Sequence, residues 1–176
     1  MKSFQGEAKL KEKYYEIIKD LPGIYTKGMS LCFAGLHGVG KSSVVTNIIK
    51  TSTLKGYSGL YTTLSDIVST MLSKEESEKY IARRELTTVD FLVIDEFDSR
   101  FMPTDNASDL FGRTLENIFR TRSQNRLPTF MCTNSPNVVE TFSGPIKQSI
   151  DSLMKGYVKV VPVFGEDFRK TMHNKK

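Results

Sequence analysis

The chain has 176 residues, 39% of them hydrophobic and 26% charged, which suits one globular domain with a real core and is too short for two. No apolar run approaches the ~18 residues of a membrane span, and the opening MKSFQGEAKLKEKYYE lacks the apolar stretch of a secretory signal. The two cysteines, Cys32 and Cys132, sit in apolar strand-like runs, which argues against a disulfide framework or a zinc site and for a reducing cytoplasm. A formal charge of +5 fits a solvated surface as well as it fits a polyanion partner.

Taken in chain order, residues 6–21 read as an amphipathic helix, with Leu10, Tyr14, Ile17, Ile18 and Leu21 on one stripe. Leu21-Pro22-Gly23 is expected to end it. MSLCFAG then reads as a buried strand, KSSVVTNIIK as a helix and GYSGLYTT as a second short strand. LSDIVSTML is helical, and the charged SKEESEKYIARREL is expected to form another helix after a kink. VDFLVID is a continuous apolar run closed by an acid, as in a strand covered on both faces. A polar loop leads to a long helix over 107–125, and LPTFMCTNSP reads as a fourth strand. Two helical patches precede a last strand in GYVKVVPVFG and a basic tail. Strands alternating with helices predict a three-layer α/β/α sandwich on a mostly parallel sheet.

Between the first strand and the first core helix lies GLHGVGKSS, which fits the phosphate-loop spacing G-x-x-x-x-G-K-[ST]. Glycines let backbone N–H groups face phosphates, and the following helix adds its positive N-terminal end. Gly35, Gly38, Val39, Gly40, Lys41, Ser42 and Ser43 are therefore the expected ATP-binding residues. Lys41 is expected to reach the β- and γ-phosphates, and Ser42 to ligate magnesium. His37 occupies a variable position and takes no role.

The second signal is FLVIDEFD. Asp95, ending the strand, is placed to hold magnesium with Ser42, and Glu96 is the expected base for the attacking water. An activated water separates hydrolases from small-molecule kinases, the rival class for a phosphate loop. Asn134, in TFMCTNSP, can touch the γ-phosphate or the water, with Thr133 the lesser candidate. Locally it also reads as a turn residue before Pro136.

GLHGVGKSS, VDFLVIDEFDS, LPTFMCTNSP and the closing GEDFRK follow one another in an order and spacing that resembles the DnaC/IstB-type AAA+ ATPases, over about residues 27 to 170. These are bacterial replicative helicase loaders and their transposition-accessory relatives. The resemblance implies a P-loop NTPase fold of AAA+ type, with a parallel five-stranded sheet in the order 5-1-4-3-2. It implies an N-terminal helix and linker over 1–26 and a single ATPase domain over 27–176. Asn134 then resembles the sensor 1 residue and Arg169 the sensor 2 arginine, catalytic alongside Glu96. Residues 64 to 86 occupy the interval of the family's initiator-specific helix, which makes Lys79, Arg83 and Arg84 candidates for contacts to single-stranded DNA. The alternative for those three is a solvated helix face.

Where the family usually carries arginines in its box VII helix, this chain has Ser149 and Ser152. The nearest replacements are Arg113 and Arg120, seven residues apart on one helix face with Glu116 between them; they are either a trans finger or an intrahelical ion ladder. The implied function is an ATP- and Mg2+-dependent ATPase of DNA replication, loading or remodelling a replicative helicase while assembling head to tail on single-stranded DNA. The alternatives are a transposase-assisting ATPase, a P-loop nucleotide or small-molecule kinase, and a nucleotide-gated binding module.

Overall fold

The computed structural model describes residues 8–73, 75–102 and 106–168. Its centre is one five-stranded sheet, built from β1 (Leu31–Ala34), β2 (Gly59–Thr63), β3 (Phe91–Asp95), β4 (Thr129–Thr133) and β5 (Lys159–Pro162). All pairings are parallel, and the order is β2-β3-β4-β1-β5, which is 5-1-4-3-2 read from the other edge. This is the predicted P-loop fold of AAA+ type, with helices on both faces. Every residue of β1, β3 and β4 is buried, as expected for a sheet covered on two sides, whereas edge strand β2 is half-buried and β5 largely exposed.

Alternation along the strands divides the interior in two. Leu31, Phe33, Phe91, Val93, Phe130 and Cys132 pack with α1 (Ala8–Lys19), α2 (Leu21–Lys27) and α3 (Lys41–Leu54). Cys32, Leu92, Ile94 and Met131 pack with α4 (Leu64–Leu72), α5 (Glu76–Thr88), α6 (Asn106–Gln124) and α7 (Gly144–Tyr157). The N-terminal stripe Leu10, Tyr14 and Ile17 is thus buried in the same core as the sheet.

One junction differs from the sequence reading. The first helix ends at Lys19, and Leu21-Pro22-Gly23 opens α2 rather than stopping a helix. Proline fits the first turn because an N–H there has no intrahelical partner to lose. Gly28, left-handed at φ 62°, then closes α2 before β1. At the other end of the sheet Thr63 is both the last residue of β2 and the N-cap of α4. Its hydroxyl accepts from the Asp66 N–H (3.1 Å), and the Asp66 carboxylate accepts from the Thr63 N–H (3.3 Å).

Arg122, near the end of α6, is among the most deeply buried side chains, at 1% exposure. Its guanidinium donates to the carbonyls of Leu86 (3.0 Å), Val89 (2.9 Å) and Pro128 (2.7 Å) and to Thr129 Oγ1 (2.8 Å). It therefore ties the end of α5 to the starts of β3 and β4. Burial pulls its pKa down to about 10, partly offset by nearby Asp90. Asp90 itself would be raised by burial, but hydrogen bonds from the Ser58 backbone and hydroxyl and from Tyr25 bring it below its usual value.

The two cysteines lie on neighbouring strands. Cys32 is level with Met131 and Cys132 with Phe33, so the one-residue offset sends the thiols to opposite faces of the sheet. Burial pushes Cys32 up to about 12 and raises Cys132 well above its usual value. Both should therefore react slowly with a thiol reagent in the native protein and rapidly in denaturant, as followed by mass spectrometry. Arg122→Ala should cost at least about 1–3 kcal/mol in urea unfolding, the penalty of one unsatisfied buried group, because several buried carbonyls lose their shared donor. Arg122→Lys, which lacks the planar fork, should recover only part of that.

Candidate functional site

The carboxyl ends of β1, β3 and β4 deliver the predicted residues to one edge of the sheet. The loop after β1 turns at Gly38 (φ 76°) and Gly40 (φ 100°), conformations that favour glycine, and Gly40 is the N-cap of α3 with no side-chain cap. Gly35 donates to the Thr133 carbonyl (3.3 Å), and a Cβ there would collide with the carbonyl of Val163. Val39 is buried beneath the loop, so only its backbone can face a phosphate. Ser42 and Ser43 are exposed on the first turn of α3.

Lys41 is 5% exposed and folds back across the loop. Its ammonium donates to the carbonyls of Gly35 (2.8 Å) and Leu36 (2.6 Å) and to Asn134 Oδ1 (3.1 Å). The structure thus brings the phosphate-loop lysine and Asn134 together although 93 residues separate them. Thr133 is buried, and its hydroxyl accepts from the Ser135 N–H (3.2 Å). It serves the turn that presents Asn134.

Asp95 is buried at the end of β3 with both carboxylate oxygens engaged. Oδ1 accepts from the Glu96 N–H (2.8 Å) and Oδ2 from the Tyr61 hydroxyl (2.6 Å). One residue further on, the Phe97 N–H is anchored on the Cys132 carbonyl (2.8 Å). Glu96, held between these two fixed points, takes the left-handed conformation (φ 51°) and an exposed position. For a non-glycine residue that conformation costs about 1–2 kcal/mol, and such strain concentrates at functional sites.

The chain after β5 returns over the phosphate loop. Val163 N–H donates to the Ala34 carbonyl (2.7 Å) and Phe168 N–H to the Gly38 carbonyl (3.2 Å). A Cβ on Gly38 would collide with the Asp167 carboxylate. Arg169, the predicted sensor 2 residue, lies outside the described residues, one position beyond Phe168.

A second feature lies away from this edge. Between α5 and α6 runs a groove of about 560 Å³, lined by Tyr80, Arg83, Arg84, Arg113, Asn117 and neighbouring threonines. Arg83 and Arg84, expected on a DNA-facing helix, are here joined by Arg113, expected as a finger candidate. Lys79 is bound to Glu76 (2.7 Å), and Arg120 to Glu116 (2.9 Å). The sequence reading missed Tyr61, Asp167, Arg122 and the aromatic Tyr80. For Tyr80 a signal existed, an aromatic interleaved with Arg83 and Arg84. For Tyr61 and for most of the Arg122 contacts the partners are remote in sequence.

Several solved structures share the fold. A replication initiator DnaA bound to AMPPCP and single-stranded DNA superposes with a TM-score of 0.70 at 14% identity, covering 97% of this chain and 52% of that one. DnaI gives 0.68 at 16% identity, covering 94% and 85%. The DnaC helicase loader gives 0.65 at 14%, covering 92% and 94%. At these identities the likeness is one of fold, and the chain spans about half the length of the initiator. No curated protein matches it by sequence. Residues 31–151 match the model of the ATPase family associated with various cellular activities, and that span holds the phosphate loop, Asp95, Glu96 and Asn134. With that match over more than half its length, the chain belongs to the AAA family of ATPases.

Proposed function

We propose that this ATPase loads or remodels a replicative helicase on single-stranded DNA, assembling head to tail along the strand. The observation that carries the reading is the α5–α6 groove. Three guanidiniums along one trough suit a phosphate backbone, and Tyr80, 68% exposed, offers a platform on which a base can stack. Fold relatives described as bound to single-stranded DNA and as a helicase loader support it.

In this reading the backbone from Gly35 to Lys41, with Ser42 and Ser43, cradles the ATP phosphates. Lys41 exchanges its bonds to Gly35 and Leu36 for phosphate oxygens while Asn134 stays within reach. The Ser42 hydroxyl and the Asp95 carboxylate are hard oxygen donors and fit magnesium. Magnesium, when bound, neutralises charge on the phosphates. Glu96, thrust out of the ladder and exposed, accepts the proton of the attacking water. Arg169 supplies a second cation to the γ-phosphate. The Arg120–Glu116 pair is the intrahelical ladder of the sequence reading, so a trans finger comes from Arg113, from Arg120 released from that pair, or from the partner protein.

Two experiments test this. Lys41→Ala should abolish ATP binding, whereas Glu96→Gln should retain it and lose about 10²–10⁴ in hydrolysis rate, read by filter binding and phosphate release. A Glu96→Gln protein hydrolysing at the parental rate removes Glu96 as the base. Neutralising Arg83, Arg84 and Arg113 together should weaken single-stranded DNA binding and lower its salt slope by about 0.7 per lost phosphate contact. Tyr80→Ala should weaken binding by about 1–3 kcal/mol with the slope unchanged, the signature of stacking. An unchanged slope in the triple variant returns the arginines to a solvated face.

A further inference from the structure

Tyr61 lies on β2, level with Val93 of β3 and two residues short of the level of Asp95. In a parallel pair, residues at one level share a face, so Tyr61, Thr63, Val93 and Asp95 all look towards α3. Two residues of strand rise are about 6.6 Å, a gap that a phenol leaning along the strand can close. It does so here, and the hydroxyl donates to Asp95 Oδ2 at 2.6 Å, within the range of a hydrogen bond to an ionised acceptor.

The Tyr61 hydroxyl and the Glu96 N–H thus hold the two oxygens of Asp95, one from the neighbouring strand and one from its own chain. Core packing does not account for the placement, since Tyr61 is 42% exposed on an edge strand.

We propose that Tyr61 is a positioning residue for the divalent cation: it holds the Asp95 carboxylate in register with the Ser42 hydroxyl, so that the two present a preformed pair of oxygen donors. This rests on the reading that Asp95 and Ser42 hold the metal. Groups that orient the ligands of a metal typically contribute about 10–100-fold to its affinity.

The test measures metal binding directly, with Mn2+ as the probe, by electron paramagnetic resonance in the presence of a non-hydrolysable ATP analogue. Tyr61→Phe keeps the ring and removes only the hydroxyl. It should weaken Mn2+ binding about tenfold or more and raise the Mg2+ concentration for half-maximal ATPase by the same factor. Its kcat at saturating Mg2+ and its analogue binding in EDTA should stay near parental, a split that general destabilisation does not produce. Tyr61→Leu, which also lacks the hydroxyl, should weaken Mn2+ binding to a similar degree, an independent reading should Tyr61→Phe fold poorly. Asp95→Asn separates the two levels of argument. If Asp95→Asn abolishes Mn2+ binding while Tyr61→Phe leaves it unchanged or tightens it, the role of Tyr61 is overturned and the metal assignment stands. If Asp95→Asn binds Mn2+ as the parent does, the assignment falls and this inference with it.

Discussion

The ammonium of Lys41 ties two carbonyls of its own loop to Asn134, just past the end of the neighbouring strand, and the geometry of this edge of the sheet depends on that knot. A buried ammonium in a low-dielectric setting needs its donors satisfied, so the loop closes on it and β4 must end within its reach. The knot sets the level of β1 against β4. Gly35 to Thr133 and Phe97 to Cys132 then carry the same alignment to the residues after β1 and β3. Three strand ends are thereby held at one height, and the chain leaving β5 completes the edge by hydrogen-bonding to Ala34 and Gly38.

The residues of chemistry use the slack this alignment leaves. Asp95 is clamped from both oxygens, while Glu96 one step on is forced out into a strained, exposed conformation. Adjacent acids in one sequence pattern thus receive opposite environments, one buried and fixed, the other free to meet water. In the proposed reading the fixed acid holds the metal and the exposed one acts as the base.

How much of this was legible depends on the range of the interaction involved. The phosphate loop, the apolar run of β3 and the acid pair are local patterns, and each stands where the sequence placed it. The strand order followed only from a family resemblance. Pro22 and Gly23 misled because a proline that opens a helix and one that ends another look alike until the chain on both sides is seen. Arg122 closes an amphipathic helix and reads as a solvated cation, yet its partners lie 32 to 36 residues earlier and 6 to 7 residues later. Tyr61 sits on an exposed edge strand, and its partner is 34 residues away. The grouping of Arg113 with Arg83 and Arg84 was hidden for the same reason, since α5 and α6 meet only in the folded chain.

Arg122 also has a mechanical consequence. Its fork grips the tail of α5 and the roots of β3 and β4 at once, while the far tips of those strands carry Asp95 and Asn134. A short, fully hydrogen-bonded strand is stiff along its length, so the two ends of each behave as the ends of a rod. In the proposed reading, DNA in the groove bears on α5, and Arg122 is the link that joins α5 to the strands ending at Asp95 and Thr133.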